Sequence, residues 1–267
     1  MAIEVWLALG ASLLLVLSLG VEILRLRQVR GHWTMLAAGL EIGATIAALA
    51  ALALAITTGS PRSPDNLRLV AWGLAPAILG THLFLQRLTR TQGARLIVGS
   101  LALASLILGI LVPAPVASLL GCPQFGTAFT IQWFLLALGV GSVTVSGSAG
   151  FEMILRAVLR RVTPYAPLRD RSRRILVAKG ALLTLVTLGA GLAVATWRSW
   201  QAAGTLTSGD PRQVWLSITS LATATSLLAW QMGKKAATWA AALAVFAAAI
   251  ALMSLLVVPA LGWSMAL

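Results

Sequence analysis

The chain has 267 residues, of which 59% are hydrophobic and 10% charged, with a formal net charge of +13. An ordinary soluble domain carries roughly a quarter charged residues, so a soluble fold could not cover this much apolar surface; recurring uncharged stretches of about 18 residues or more are the signature of membrane-spanning helices. The positive charge is gathered in alternate loops between those stretches, which excludes a nucleic-acid footprint and reports membrane orientation instead.

Between polar breaks, helices are predicted at about 5–24, 35–57, 69–86, 96–119, 128–151, 175–197, 213–230 and 236–258. At 1.5 Å per residue each can cross a hydrocarbon core of about 30 Å, the third and seventh being the shortest. The fold expected is therefore an all-α integral membrane protein, a bundle of about eight transmembrane helices forming one polytopic domain over 1–267. Met1-Ala-Ile-Glu4 has no basic stretch, and the apolar run after it is too long for a signal-peptide core, so it reads as a retained first helix.

Arg25, Arg27 and Arg30 follow helix 1, and Arg87, Arg90 and Arg95 follow helix 3. Arg156, Arg160, Arg161, Arg169, Arg171, Arg173 and Arg174 follow helix 5, and Lys234 and Lys235 follow helix 7. The opposite loops hold only Arg62, Arg68, Arg198 and Arg212. The positive-inside rule makes the first set cytoplasmic and places both termini outside. Trp6, Trp72, Trp133, Trp197, Trp200, Trp215 and Trp263 fall near the outer boundary and Trp33, Trp230 and Trp239 near the inner one, the pattern of an aromatic belt.

Besides Glu22 near the end of helix 1, three ionisable residues lie inside predicted spans. Glu41 is about six residues in from the inner end of helix 2, roughly 9 Å deep; His82 is about five residues from the inner end of helix 3, and Lys179 about one turn inside helix 6. Charge there is expensive and is normally paired or functional, so a polar layer of Glu41, His82 and Lys179 is expected in the inner half of the membrane, with His82 its one candidate metal ligand. The bland alternative is that Lys179 snorkels and the other two are satisfied locally. Glu22 with Arg25, and Glu152 with Arg156, read as helix-end pairs. Helix 5 carries Gly139, Gly141, Ser142, Ser146, Gly147, Ser148 and Gly150, a composition that favours close helix packing.

Cys122 is the only cysteine, so there is no internal disulfide and no zinc ligand set. No Gly-rich phosphate loop or Ser/His/Asp constellation stands out, so no enzyme activity and no catalytic residue is expected. Asp210-Pro211 opens helix 7 with Asp as N-cap and Pro at the first helical position.

From about residue 128 onward the chain resembles the heme-handling cytochrome c assembly family, membrane proteins with a tryptophan-rich WWD loop. The resemblance rests on Arg174-Ile-Leu-Val-Ala-Lys-Gly180, Leu185-Val-Thr-Leu-Gly189-Ala-Gly191, Ala195-Thr-Trp197 and Gly204. It continues in Asp210-Pro-Arg-Gln-Val-Trp215-Leu-Ser-Ile-Thr219, which is similar to the family's WDPKExWxxIT segment. It implies a role in cytochrome c biogenesis or heme handling in a bacterial inner or plastid-type membrane, heme as cofactor, and a heme or partner surface at Trp197, Trp200, Asp210 and Trp215. By this alignment Gln132, Gly262, Leu228 and Glu41 stand where the family has histidines, and residues 201–209 hold no aromatic side chain. The alternatives are a non-heme structural or assembly subunit docked to other membrane subunits, and a small-solute transporter built on the inner polar layer.

Overall fold

The computed structural model describes residues 3–27, 33–57, 67–89, 94–112, 127–159, 170–204, 211–233 and 236–260. They form eight helices and no strand: α1 (Ile3–Arg27), α2 (Trp33–Thr57), α3 (Leu67–Thr89), α4 (Arg95–Leu111), α5 (Thr127–Leu159), α6 (Asp170–Ala203), α7 (Pro211–Gln231) and α8 (Ala237–Ala260). In hydrocarbon a helix satisfies its own N–H and C=O groups, so apolar segments of this length have no competing backbone structure. Six of them, α1, α2, α3, α5, α6 and α8, are long and apolar enough to cross a membrane. The chain is an all-helical, multi-pass membrane protein.

The helices close into two rings. In the first, α1 packs on α2, α2 on α3, α3 on α4, and α4 returns to α1; in the second, α5 packs on α6, α6 on α7, α7 on α8, and α8 returns to α5. The rings meet chiefly along α3 and α5. The same packing order thus recurs in the two halves, although no repeat is visible in their sequences. Consecutive helices run antiparallel, so α1, α3, α5 and α7 end, and α2, α4, α6 and α8 begin, at one pole of the molecule. This is the pole of the Arg-rich connections, called here the basic end.

Four helix ends lie well away from those predicted. Helix α4 stops at Leu111, and Val112 is extended (φ −70°, ψ 123°), because the residue before a proline is pushed out of the helical region and Pro113 follows. The expected continuation over 113–119 lies outside the described residues. Helix α5 runs to Leu159 and α6 begins at Asp170, so Arg156, Arg173 and Arg174 are helical rather than in a loop. At its other end α6 reaches Ala203, which puts Trp200 on a helix. Gly204 ends it in the left-handed conformation (φ 67°), its N–H donating to Trp200 O at 2.9 Å, the glycine-terminated helix stop.

Helix α5 is the hub because its small residues point three ways. A Cβ at Gly141 would stand 2.5 Å from Ala77 O on α3, one at Gly150 would stand 2.8 Å from Ala241 O on α8, and one at Gly147 would collide with Ala248. Ser146 donates to Val177 O of α6 at 2.9 Å, and Gly180 of α6 lies against Ser146. Backbones approach this closely only where side chains are minimal. Gly141→Ala is therefore expected to wedge the rings apart and to lower stability by roughly 1–3 kcal/mol, as overpacking does. Gly189→Ala, with nothing within 4 Å of the added carbon, is expected to be neutral or stabilising; unfolding of the detergent-solubilised variants measures both.

Candidate functional site

Four helices of the first ring each bring a polar side chain to one buried point near the basic end. Glu22 comes from the last turns of α1, Glu41 from the third turn of α2, His82 and Gln86 from successive turns of α3, and Arg95 is the first residue of α4. His82 is 0% and Glu41 2% exposed. His82 Nδ1 lies 2.5 Å from Glu41 Oε1, Arg95 Nε donates to Glu41 Oε2 at 3.0 Å, and Arg95 NH1 pairs with Glu22 Oε2 at 3.5 Å. Arg95 NH2 donates to Gln86 Oε1 at 3.1 Å, and Gln86 Nε2 lies 2.8 Å from His82 Nε2.

The donors fix the proton positions. A guanidinium can only donate, so the Gln86 oxygen must face Arg95 and its NH2 must face His82. His82 Nε2 then accepts, which makes the imidazole neutral with its proton on Nδ1, donated to Glu41. In that state two carboxylates, Glu22 and Glu41, share the Arg95 guanidinium in a low-dielectric interior. A proton added at His82 Nε2 makes the cluster one charge more positive and faces the Gln86 NH2 with a second donor, so uptake requires the amide to turn and release Arg95 NH2.

The cluster has an apolar side and a polar side. One turn deeper, Thr45 donates to Glu41 O at 2.7 Å and Ser18 to Ala37 O at 3.1 Å. Beyond them the ring is filled by buried Leu15, Ala48, Ala51, Ile78, Leu79 and Trp72. Towards the basic end lies a second ionic group: Glu152 of α5 pairs with Arg156 at 2.6 Å and Arg173 of α6 at 2.9 Å, and accepts the Ala94 N–H at 2.9 Å. Ala94, buried, has φ 60° and ψ 0° as the residue capping α4, a left-handed backbone that costs a non-glycine residue on the order of 1 kcal/mol.

Of the predicted polar layer, Glu41 and His82 are brought together and Lys179 is not. Its side chain is exposed on the outside of α6, about two and a half turns from the helix start at Asp170, where a long lysine can snorkel towards the interface. Glu22 is buried and faces Arg95; the side chain of Arg25, its expected partner, lies outside the described residues. Arg95, expected as a cytoplasmic loop charge, is instead the buried cation of the site. The Glu152–Arg156 pair is present, with Arg173 and Ala94 as further partners. The signal that could have found Arg95 and Glu152 is one of balance, since a buried carboxylate in α2 calls for a cation and the arginines nearest the helix ends are the candidates.

At the opposite pole, Trp197 is 51%, Trp200 59% and Trp215 40% exposed, on the adjacent ends of α6 and α7. Asp210 lies outside the described residues. Trp72 does not belong to an aromatic belt: it is fully buried, with the Arg68 guanidinium 4.4 Å above its ring. Of the positions aligned with the histidines of the heme-handling family, Glu41, Gln132 and Leu228 are described and Gly262 is not. His82 is engaged through both ring nitrogens inside a packed ring, the Gln132 carbonyl accepts from Arg198 at 2.8 Å, and Leu228 offers no donor. Among the described residues no group of three or more His, Cys, Asp and Glu is placed to hold a metal ion. No protein-family model, curated protein or solved structure matches the chain.

Breaking a buried ion pair from one side strands the other charge and costs roughly 3–5 kcal/mol. Arg95→Ala, which strands Glu41 and Glu22 together, is expected to fall at or beyond that range in unfolding measured in detergent. Lys179→Ala, removing an exposed group, is expected to change the same measurement little.

Proposed function

We propose that this chain is a proton-coupled membrane transporter for a small solute, with eight spans and both termini on the outer side of a bacterial inner or plastid-type membrane. The observation that carries the reading is the buried Glu41–His82 pair with Arg95 as shared cation, a cluster that differs by one charge between its two proton states. Ionisable residues at membrane depth mark ion pathways and proton relays, and a group that alternates between charged and neutral forms is what couples a proton to a conformational cycle. The apolar packing of Leu15, Ile78, Leu79 and Trp72 closes the cluster from the opposite pole, so the proton exchanges with the basic end in this conformation. The alternation of Arg-rich and Arg-poor connections supports the orientation.

The test is a pH jump applied to proteoliposomes on a solid-supported membrane. The wild-type protein is expected to give a transient charge displacement that Glu41→Gln and His82→Gln abolish and Lys179→Ala retains. Equal currents from wild type and Glu41→Gln would overturn the reading.

A second reading, a role in cytochrome c biogenesis together with other membrane subunits, is favoured by the exposed aromatic surface of Trp197, Trp200 and Trp215. Aromatic side chains are the residues most enriched at protein interfaces. Replacing all three by Leu is expected to lower the cellular level of c-type cytochromes, measured by heme staining of denaturing gels; an unchanged level removes this reading.

A further inference from the structure

We infer that Glu152, in the second ring, is a positioning residue for the proton site in the first. The inference rests on the proton-exchange reading of the Glu41–His82 pair. Residues 94 and 95 are adjacent in the chain and face different rings: the Ala94 N–H is held by Glu152 of α5 at 2.9 Å, while the Arg95 side chain reaches Glu41 of α2 and Glu22 of α1. Ala94 has no side-chain cap of its own and sits at φ 60°, a conformation an alanine leaves unless something holds it. The hydrogen bond from its N–H to a charged acceptor supplies that hold.

The direction in which Arg95 points follows from the turn. As the first residue of α4 it places a cation at the positive end of a helix dipole, an unfavourable site, and the two carboxylates offset this only while the turn aims the guanidinium at them. The charged and titratable groups facing this joint are Glu22 from α1, Glu41 from α2, His82 from α3, Arg95 from α4, Glu152 and Arg156 from α5 and Arg173 from α6. Arg156 and Arg173 both bind Glu152 Oε1, leaving Oε2 to Ala94. Releasing Ala94 lets the turn relax and withdraws Arg95 from Glu41. An acid that loses a neighbouring cation holds its proton more tightly, so the proton site then discharges at higher pH.

The experiment is the pH profile of the pH-jump current. Glu152→Ala is expected to move its midpoint to higher pH by about one unit, the size of shift that a cation beside a carboxylate produces. Glu152→Gln, which keeps an acceptor for the Ala94 N–H, is expected to stay near wild type. Ala94→Gly, placed in the Glu152→Ala background, makes the left-handed turn favourable without the hydrogen bond and is expected to bring the midpoint at least halfway back. A midpoint unmoved in Glu152→Ala, or equally displaced with and without Ala94→Gly, overturns the inference.

A second measurement does not need the current. Coupling between two sites is reciprocal, so Glu41→Gln is expected to speed hydrogen exchange of the Ala94 amide by tenfold or more, and an unchanged rate overturns the inference. If wild type gives no current while Ala94 exchange responds to Glu41→Gln, the proton reading fails and the positioning link stands.

Discussion

Four helices of the first ring are held by one guanidinium. Arg95 contacts a carboxylate of α1, a carboxylate of α2 and an amide of α3 from its place at the head of α4, and that set contains every helix of the ring. Removing a charge from water is expensive enough that such a group is buried only where its partners are in place. The ring can therefore close only in the register that delivers Glu22, Glu41 and Gln86 to the same point. Apolar packing between Ala8, Ala11, Ala44, Ala48 and their neighbours is compatible with several registers, since lipid tails and alanine faces are alike in polarity and helices in membranes gain little from hydrophobicity alone. The ionic cluster supplies the specificity that the apolar surfaces lack.

The second ring is organised by a different means. Its centre is α5, whose glycines and serines let α3, α6 and α8 approach on three sides; hydroxyls there bond to carbonyls within a helix or across to the next, except that Ser148 Oγ is buried without a hydrogen-bond partner. Thr144 and Thr184 donate to carbonyls four residues earlier, at 2.7 and 2.8 Å, and Ser226 donates across to Ala240 O of α8 at 2.7 Å. Close backbone contact and interhelical hydroxyl bonds do here what the salt bridges do in the first ring. The two rings share an order of packing and differ in the chemistry that enforces it, which is why no sequence repeat accompanies the structural one.

Which parts of this were legible in the sequence follows from what hydropathy measures. It locates greasy runs, so the eight helices and the depth of Glu41 and His82 could be read directly: a carboxylate and an imidazole stand out in an apolar stretch. It does not locate the ends of helices that continue past the hydrocarbon, so Arg156, Arg173 and Trp200 read as loop residues although α5 and α6 extend through them. Arg95 was hidden for the same reason, because an arginine at a helix boundary looks like any other member of a basic loop. Lys179 misled in the opposite sense, since its depth in the helix was read without knowing which face it occupies, and that face is exposed. Ring membership was beyond reach, because contacts such as Gly141 against Ala77 are set by the absence of side chains and leave no pattern in composition.

The polar layer at the basic end is continuous across both rings, and the continuity runs through a single peptide unit. His82 binds Glu41, Glu41 and Glu22 bind Arg95, Arg95 is joined covalently to Ala94, and Ala94 is hydrogen-bonded to Glu152, which gathers Arg156 and Arg173. Three carboxylates and three guanidiniums lie along this path, with the His82 imidazole at one end. A proton added at that end changes the charge balance at Arg95 first, because Gln86 cannot offer an oxygen to both His82 and Arg95. A shift of the Arg95 backbone turns the peptide that Glu152 holds. The interface between α3 and α5 is packed too tightly around Gly141 to absorb such a motion by sliding, so the strained turn at Ala94 is the place where a change of charge in one ring meets resistance from the other.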